Sequence, residues 1–153
     1  LITDADPAQK QDGNGIPQAL YPASGDVVAV SANTAKMKER EDAFVKVFHG
    51  LKTLEYDLAL HADNRTAMLV ALKELHPKIG EAVQAAVEAA DGDAAKAKAL
   101  FTGMFERPQG NIQKGKFGQA LAQILVDPET PCVVPEYIGE AVAHACQYEV
   151  PAE

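Results

Sequence analysis

Apolar residues recur three or four positions apart from Asn33 to Ala90, first as Phe44, Val47, Phe48, Leu51, Leu54 and Leu58, then as Leu69, Leu72, Leu75, Ile79 and Val83. That spacing places them on one stripe of an α-helix, and the stripe must be buried against a partner. The polar break His61-Ala62-Asp63-Asn64 separates the two halves, so the stretch predicts a long antiparallel helical pair. Asn33 and Thr34 are the expected N-caps of the first helix, because short polar side chains accept from amides that lack an intrahelical partner. This helix is expected to run to about Leu60. Asp63 is the expected cap of the second. Pro77 removes a helical donor and crowds the preceding turn, so the second helix either kinks near His76 or splits there, with Pro77 opening a new segment.

Asp91-Gly92-Asp93 closes that segment and caps the next, in which Ala97, Leu100, Phe101, Met104 and Phe105 repeat at helical spacing until Pro108 and Gly110. Phe117, Leu121, Ile124 and Leu125 predict a further short helix, ended by Pro128. Thr130 to Pro135 is extended by its prolines, and Glu136 to Gln147 predicts a last helix with Ile138, Ala141, Val142 and Ala145 turned inward. Residues 1–25 are punctuated by Pro7, Gly13, Gly15, Pro17, Pro22 and Gly25, through which no periodic element can run. They read as an arm, not as part of a core, with Val27, Val28 and Val30 as a short extended lead. The expected fold is therefore all-α, an up-and-down bundle of about four helices over residues 34–153, behind an irregular N-terminal arm at 1–33 and ending in a short C-terminal helix.

Composition narrows the class of protein. The 153 residues suffice for one domain with a core, and the 47% hydrophobic and 24% charged fractions are those of an ordinary globule. The sequence has no apolar run of the length that crosses a bilayer, so no direct insertion into a membrane is expected. A net charge of −8 opposes phosphate binding, so nucleic acid is not an expected partner. Lys36, Lys38, Arg40, Lys46 and Lys52 nevertheless load the first helical stretch, as either a solvated face or a docking face for an acidic partner. The chain opens at Leu1 without an initiator methionine, which fits a mature product or part of something longer. Cys132 and Cys146 are the two cysteines. Bonded, they would close a loop worth about 3 kcal/mol and imply an oxidising compartment; otherwise they are two ordinary buried thiols.

Motifs for chemistry are scarce. His49, His61, His76 and His144 never pair with another His or Cys at the three- or four-residue spacing of helical metal motifs. Asp4, Asp6, Asp12 and Asn14 depart from the alternation of a calcium loop and lack its closing Glu. Ser24 and Ser31 lie in no nucleophile elbow, and Gly13-Asn14-Gly15 lacks the lysine and the strand-to-helix setting of a phosphate loop. The clusters Glu39, Glu41, Asp42 and Asp91, Asp93 are explained by capping and solvation. Phe44, Phe48, Phe101, Phe105 and Phe117 read as core. No catalytic, metal or cofactor-binding residue is assigned, and the chain is expected not to be an enzyme.

Three segments carry a resemblance. Phe48-His49-Gly50-Leu51-Lys52-Thr53-Leu54-Glu55-Tyr56-Asp57-Leu58, then Asn64 to Leu75, then Asp91-Gly92-Asp93-Ala94-Ala95-Lys96-Ala97 resemble the helical core of the PsbQ-type extrinsic proteins of photosystem II, over about residues 34–107. The resemblance implies a four-helix bundle behind a proline-bearing arm, and a non-catalytic subunit of the thylakoid lumen that docks on a membrane protein complex and helps retain the ions of the oxygen-evolving side without binding them. Tyr21 and Pro22 of the arm, with Lys36, Lys38 and Arg40, would then be the docking residues. The absence of Trp and the unmatched part from Lys114 onward depart from that family. Asp26 to Ser31, Ala43 to Lys46 and Asp63 to Arg65 instead resemble the strand-then-helix passage of NMT1-like periplasmic substrate-binding proteins. That implies a small-molecule binder, of which this length supplies only a fragment.

Overall fold

The computed structural model describes residues 1–7 and 10–147; residues 8–9 of the expected arm and 148–153 of the expected bundle lie outside the described residues. In chain order the elements are β1 (Ile2–Thr3), β2 (Lys10–Gln11), β3 (Pro17–Gln18), α1 (Ala32–Lys38), β4 (Phe48–His49), α2 (Leu54–Ala59), α3 (Ala62–Leu75), α4 (Pro77–Ala89), α5 (Asp93–Phe105), α6 (Lys114–Leu125) and α7 (Glu136–Gln147). The fold is mostly helical, of the all-α bundle kind. The chain divides into two compact units, Leu1–Leu54 with Val134–Glu153, and Glu55–Val133. A boundary after residue 33 falls inside α1.

In the first unit the start of the chain is woven into the fold. β1 lies parallel to β4, with Ile2 opposite Phe48 and Thr3 opposite His49, and Asp6 N donates to Lys52 O at 3.1 Å. On the other side Ser31 N donates to Ala5 O at 2.9 Å, and the buried Thr34 hydroxyl donates to Asp4 O at 2.9 Å. Ala5 is fully buried. These bonds make residues 2–6 a structural strap where an arm outside the core was expected. β2 and β3 form an antiparallel hairpin, closed by Asp12, whose Oδ1 accepts from Asn14 N and Ile16 N. α7 packs on β4 and β1, with its His144 ring 5.7 Å from that of Phe48.

The long first helix expected from Asn33 to about Leu60 is not formed. α1 starts two residues early, capped by Ser31, whose hydroxyl accepts from Thr34 N at 3.2 Å, and ends at Lys38. The reason lies in the carboxylates that follow. Asp42 Oδ1 accepts from the amides of Phe44 and Val45, each at 2.7 Å, and Glu41 Oε1 from Val47 N at 2.8 Å. Amides held by nearby side chains are lost to a helical ladder, and β1 offers residues 48–49 a strand partner instead. Helix resumes only at α2.

The second unit is the helical bundle proper. α3 packs against α4 and α6, and α4 against α5. Pro77 splits the second predicted helix: α3 ends at Leu75, and Pro77 is the first residue of α4, where its missing donor costs nothing. α3 is capped from His61 without a side-chain bond, and Asp63 sits in its first turn. The buried residues include Tyr56, Met68, Ala71, Leu72, Leu100, Phe101, Met104, Phe105 and Phe117. Tyr56, Phe101, Phe105 and Phe117 form a row of aromatic contacts with centroids 5.8, 5.5 and 5.8 Å apart. Gly103 of α5 lies close under α4, where an added Cβ would come within 2.8 Å of Val83 Cγ2.

Two buried polar residues of α3 lock this unit. Arg65 Nη1 donates to Ala59 O at 2.9 Å and Leu60 O at 3.0 Å, closing the C-terminal end of α2, while Nη2 pairs with Asp93. The Asn64 amide clips the backbone of Val133 at both groups: Nδ2 donates to Val133 O and Val133 N donates to Oδ1, each at 2.8 Å.

Candidate functional site

The loop between α1 and β4 presents the most distinctive surface of the first unit. Asp42 N donates to Val45 O at 3.1 Å, and with the two amides accepted by the Asp42 carboxylate this ties residues 42–45 into a fixed turn. The turn holds Phe44 outward, 65% exposed, with Val45 also exposed beside it, while Val47 beyond is buried. Lys36, Lys38 and Arg40 precede the turn in the chain and Lys46 follows it, and all four are exposed. Lys38 Nζ lies 3.4 Å from His49 Nε2. A rigid turn that exposes an aromatic ring in a stretch of the chain that also exposes cations is suited to contact with a partner, because a pre-ordered ring loses little entropy on burial and aromatic and arginine side chains carry much of the energy of protein interfaces.

The carboxylates that shape the turn are themselves perturbed. The amides of Phe44 and Val45 hold Asp42 below its ordinary pKa; the Val47 amide does the same for Glu41, helped by Lys46, Lys38 and His49. Groups whose folded pKa is depressed stabilise the fold fully above the ordinary carboxylate range and lose that contribution as pH falls through the folded value. Hydrogen-exchange protection of Phe44, Val45 and Val47 is therefore expected to fall below about pH 4, ahead of that of α3. Protection of these amides persisting unchanged to about pH 2 would show that the carboxylates do not hold the loop.

A second feature of the same unit is an open cleft of about 370 Å³ lined by Asp6, Pro7, Ala19, Leu20, Ser31, Ala32 and Lys52. Lys52 Nζ donates to Leu20 O at 3.2 Å and stands 4.7 Å from the centre of the Tyr21 ring.

These placements sort the residues singled out from the sequence. Lys36 and Lys38 on α1 and Arg40 just after it are exposed. Tyr21 is half-buried under Lys52, and Pro22 is buried, so it offers no surface to a partner. Cys132 and Cys146 are both free and exposed and belong to different units; the candidate bridge is not formed, and neither is a buried thiol. Phe44, expected in the core, is at the surface, and Phe48 is half-buried. Phe44 falls in phase with an apolar stripe of helical spacing, which hides the turn in the sequence. The available signal was Glu41-Asp42 ahead of Phe44, since Asp readily accepts from amides two and three residues on. Among the described residues no three His, Cys, Asp or Glu side chains gather as a metal ion would require, and no helix is long and apolar enough to cross a membrane. No family model matches the chain, and neither a curated protein nor a solved structure matches it.

Proposed function

We propose that this chain is a non-enzymatic accessory protein that docks through the Phe44 turn and its basic flank onto an acidic protein surface, as a subunit held at the exported or luminal face of a membrane complex such as photosystem II. The observation that carries the reading is the exposed Phe44 on a turn fixed by Asp42, in a stretch of the chain that also exposes Lys36, Lys38, Arg40 and Lys46. The photosystem in particular rests on the PsbQ-like segments, of which Asn64 to Leu75 lies in α3 and Asp91 to Ala97 opens α5, whereas Phe48 to Leu58 lies in β4 and α2.

A surface held by charge is screened by salt. The native protein is expected to migrate with a large membrane complex, to be released by a high-salt wash, and then to run free of it. Rebinding of the purified chain to the washed membranes is expected to weaken about tenfold or more when Lys36, Arg40 and Lys46 are changed together to Glu, because like charges facing each other are costly at an interface. A protein that runs alone before any wash, or rebinding indifferent to these three charges, would remove the docking reading. Comigration with a complex other than photosystem II would keep docking and discard the photosystem.

A further inference from the structure

The cleft beside Lys52 is not needed for docking, and its chemistry points elsewhere. Opposite charges share its wall. Asp6 N is bonded to Lys52 O, which fixes the two residues side by side, yet the Asp6 carboxylate joins no ion pair and accepts no hydrogen bond among the described residues. Asp6 also has φ 41°, and is the only described non-glycine residue with positive φ. An aspartate held in that sparsely populated region marks a site worth reading for function. Lys52 is positioned by Leu20 O and the Tyr21 ring. Pro7, Ala19, Leu20 and Ala32 supply an apolar lining between the charges. The volume of about 370 Å³ is within the range of small-molecule sites.

We propose that this cleft binds a small zwitterion, an amino acid or a close analogue, with its carboxylate at Lys52, its ammonium at Asp6 and its aliphatic part along Pro7, Ala19, Leu20 and Ala32. A simple anion would meet Lys52 at the expense of facing Asp6, and a simple cation would face the reverse conflict. A ligand carrying both charges leaves neither group opposed by its like. Each end then gains a charge-assisted hydrogen bond, stronger than a neutral one.

Isothermal titration of the full chain with L-leucine, L-alanine and L-proline tests this directly. At least one is expected to bind with a Kd of about 1 mM or tighter. N-acetyl-leucine, which lacks the ammonium, and leucinamide, which lacks the carboxylate, are each expected to bind about tenfold or more weakly than leucine, the loss expected for a hydrogen bond to a charged group. Asp6→Asn keeps the positive φ, which Asn tolerates, and Lys52→Met keeps an unbranched stem beside Tyr21; each is expected to weaken binding by a similar factor. If either variant fails to fold, the blocked analogues still decide, since they leave the protein unchanged. No binding of any of the three amino acids at about 10 mM, or equal binding of leucine and its blocked analogues, overturns the proposal. Neither result bears on docking by the Phe44 turn.

Discussion

Replacing Arg65 by methionine is expected to destabilise the protein by about 3 kcal/mol or more, since each buried acceptor left unsatisfied costs about 1–3 kcal/mol. The guanidinium is 7% exposed and is the donor to both Ala59 O and Leu60 O at the end of α2. Methionine matches much of the volume and none of the donors, so the two carbonyls would be left in a region from which water is excluded. Against a total stability of about 5–15 kcal/mol for a domain, this is a large fraction. The ion pair with Asp93 matters far less. That carboxylate is 70% exposed, and pairs open to water contribute about 0–1 kcal/mol. Urea unfolding followed by circular dichroism should therefore separate Arg65→Met from Asp93→Asn by more than about 2 kcal/mol. Equal costs would mean that the ion pair, and not the clamp on α2, is what Arg65 supplies.

Phe101→Ala is expected to cost about 3–5 kcal/mol, and Phe44→Ala less than about 0.5 kcal/mol. Both phenylalanines sit in apolar repeats of helical spacing, and only their surroundings differ. Phe101 is 4% exposed and stands in the middle of the aromatic row, edge-on to Tyr56 and tilted against Phe105. Its removal leaves a cavity facing two rings that cannot both collapse into it. Phe44 projects from the Asp42 turn, and truncating it leaves the carboxylate and its two amides in place. Thermal or urea denaturation of the two variants measures the contrast. A cost above about 2 kcal/mol for Phe44→Ala would place that ring in the core after all.

The same pair shows what the sequence could and could not disclose. From Pro77 onward the spans of the predicted helices correspond closely to α4, α5, α6 and α7, because proline and glycine punctuate them and good helix formers fill them. The inward stripe expected in α7 is not formed: Val142 and Ala145 are exposed, Ile138 and Ala141 half-buried, and Tyr137 is buried instead. Upstream the helical period from Phe44 to Leu58 is present in the letters, but local competition for backbone amides by Glu41 and Asp42 and a strand partner at the start of the chain, Ile2 opposite Phe48, override it. Neither effect is visible in a stripe of apolar positions. Within α3 the period was right and the chosen stripe slightly rotated. Leu69 and Leu75 are half-buried, while Asn64, Arg65, Met68, Ala71 and Leu72 face inward. Asn64 and Arg65 fall in phase with Met68, Ala71 and Leu72, a hint that two polar residues are buried and bonded. The residues proposed for docking were legible only as charge. Lys36, Lys38 and Arg40 stood out, but the exposed ring of Phe44 did not, because exposure of an aromatic residue is decided by tertiary structure. The cleft was wholly hidden, being assembled from residues 6–7, 19–20, 31–32 and 52 by the strap that β1 begins.

The division of the chain carries a consequence for how the protein is made. One unit is continuous, Glu55–Val133, whereas the other is built from Leu1–Leu54 and a returning segment that starts at Val134. On a ribosome the continuous unit is complete before α7, which packs on β1 and β4, has been synthesised. Bringing the two segments of the discontinuous unit together across an unfolded insert of this length carries a loop-closure entropy of about 4 kcal/mol. A folded insert has already met that cost, and the Asn64 clip on Val133 fixes the point from which the chain leaves it. The discontinuous unit, which bears both the exposed turn and the cleft, is thus expected to close more readily once the insert is folded, and a destabilising change in α3 is expected to act on it by returning that entropic cost.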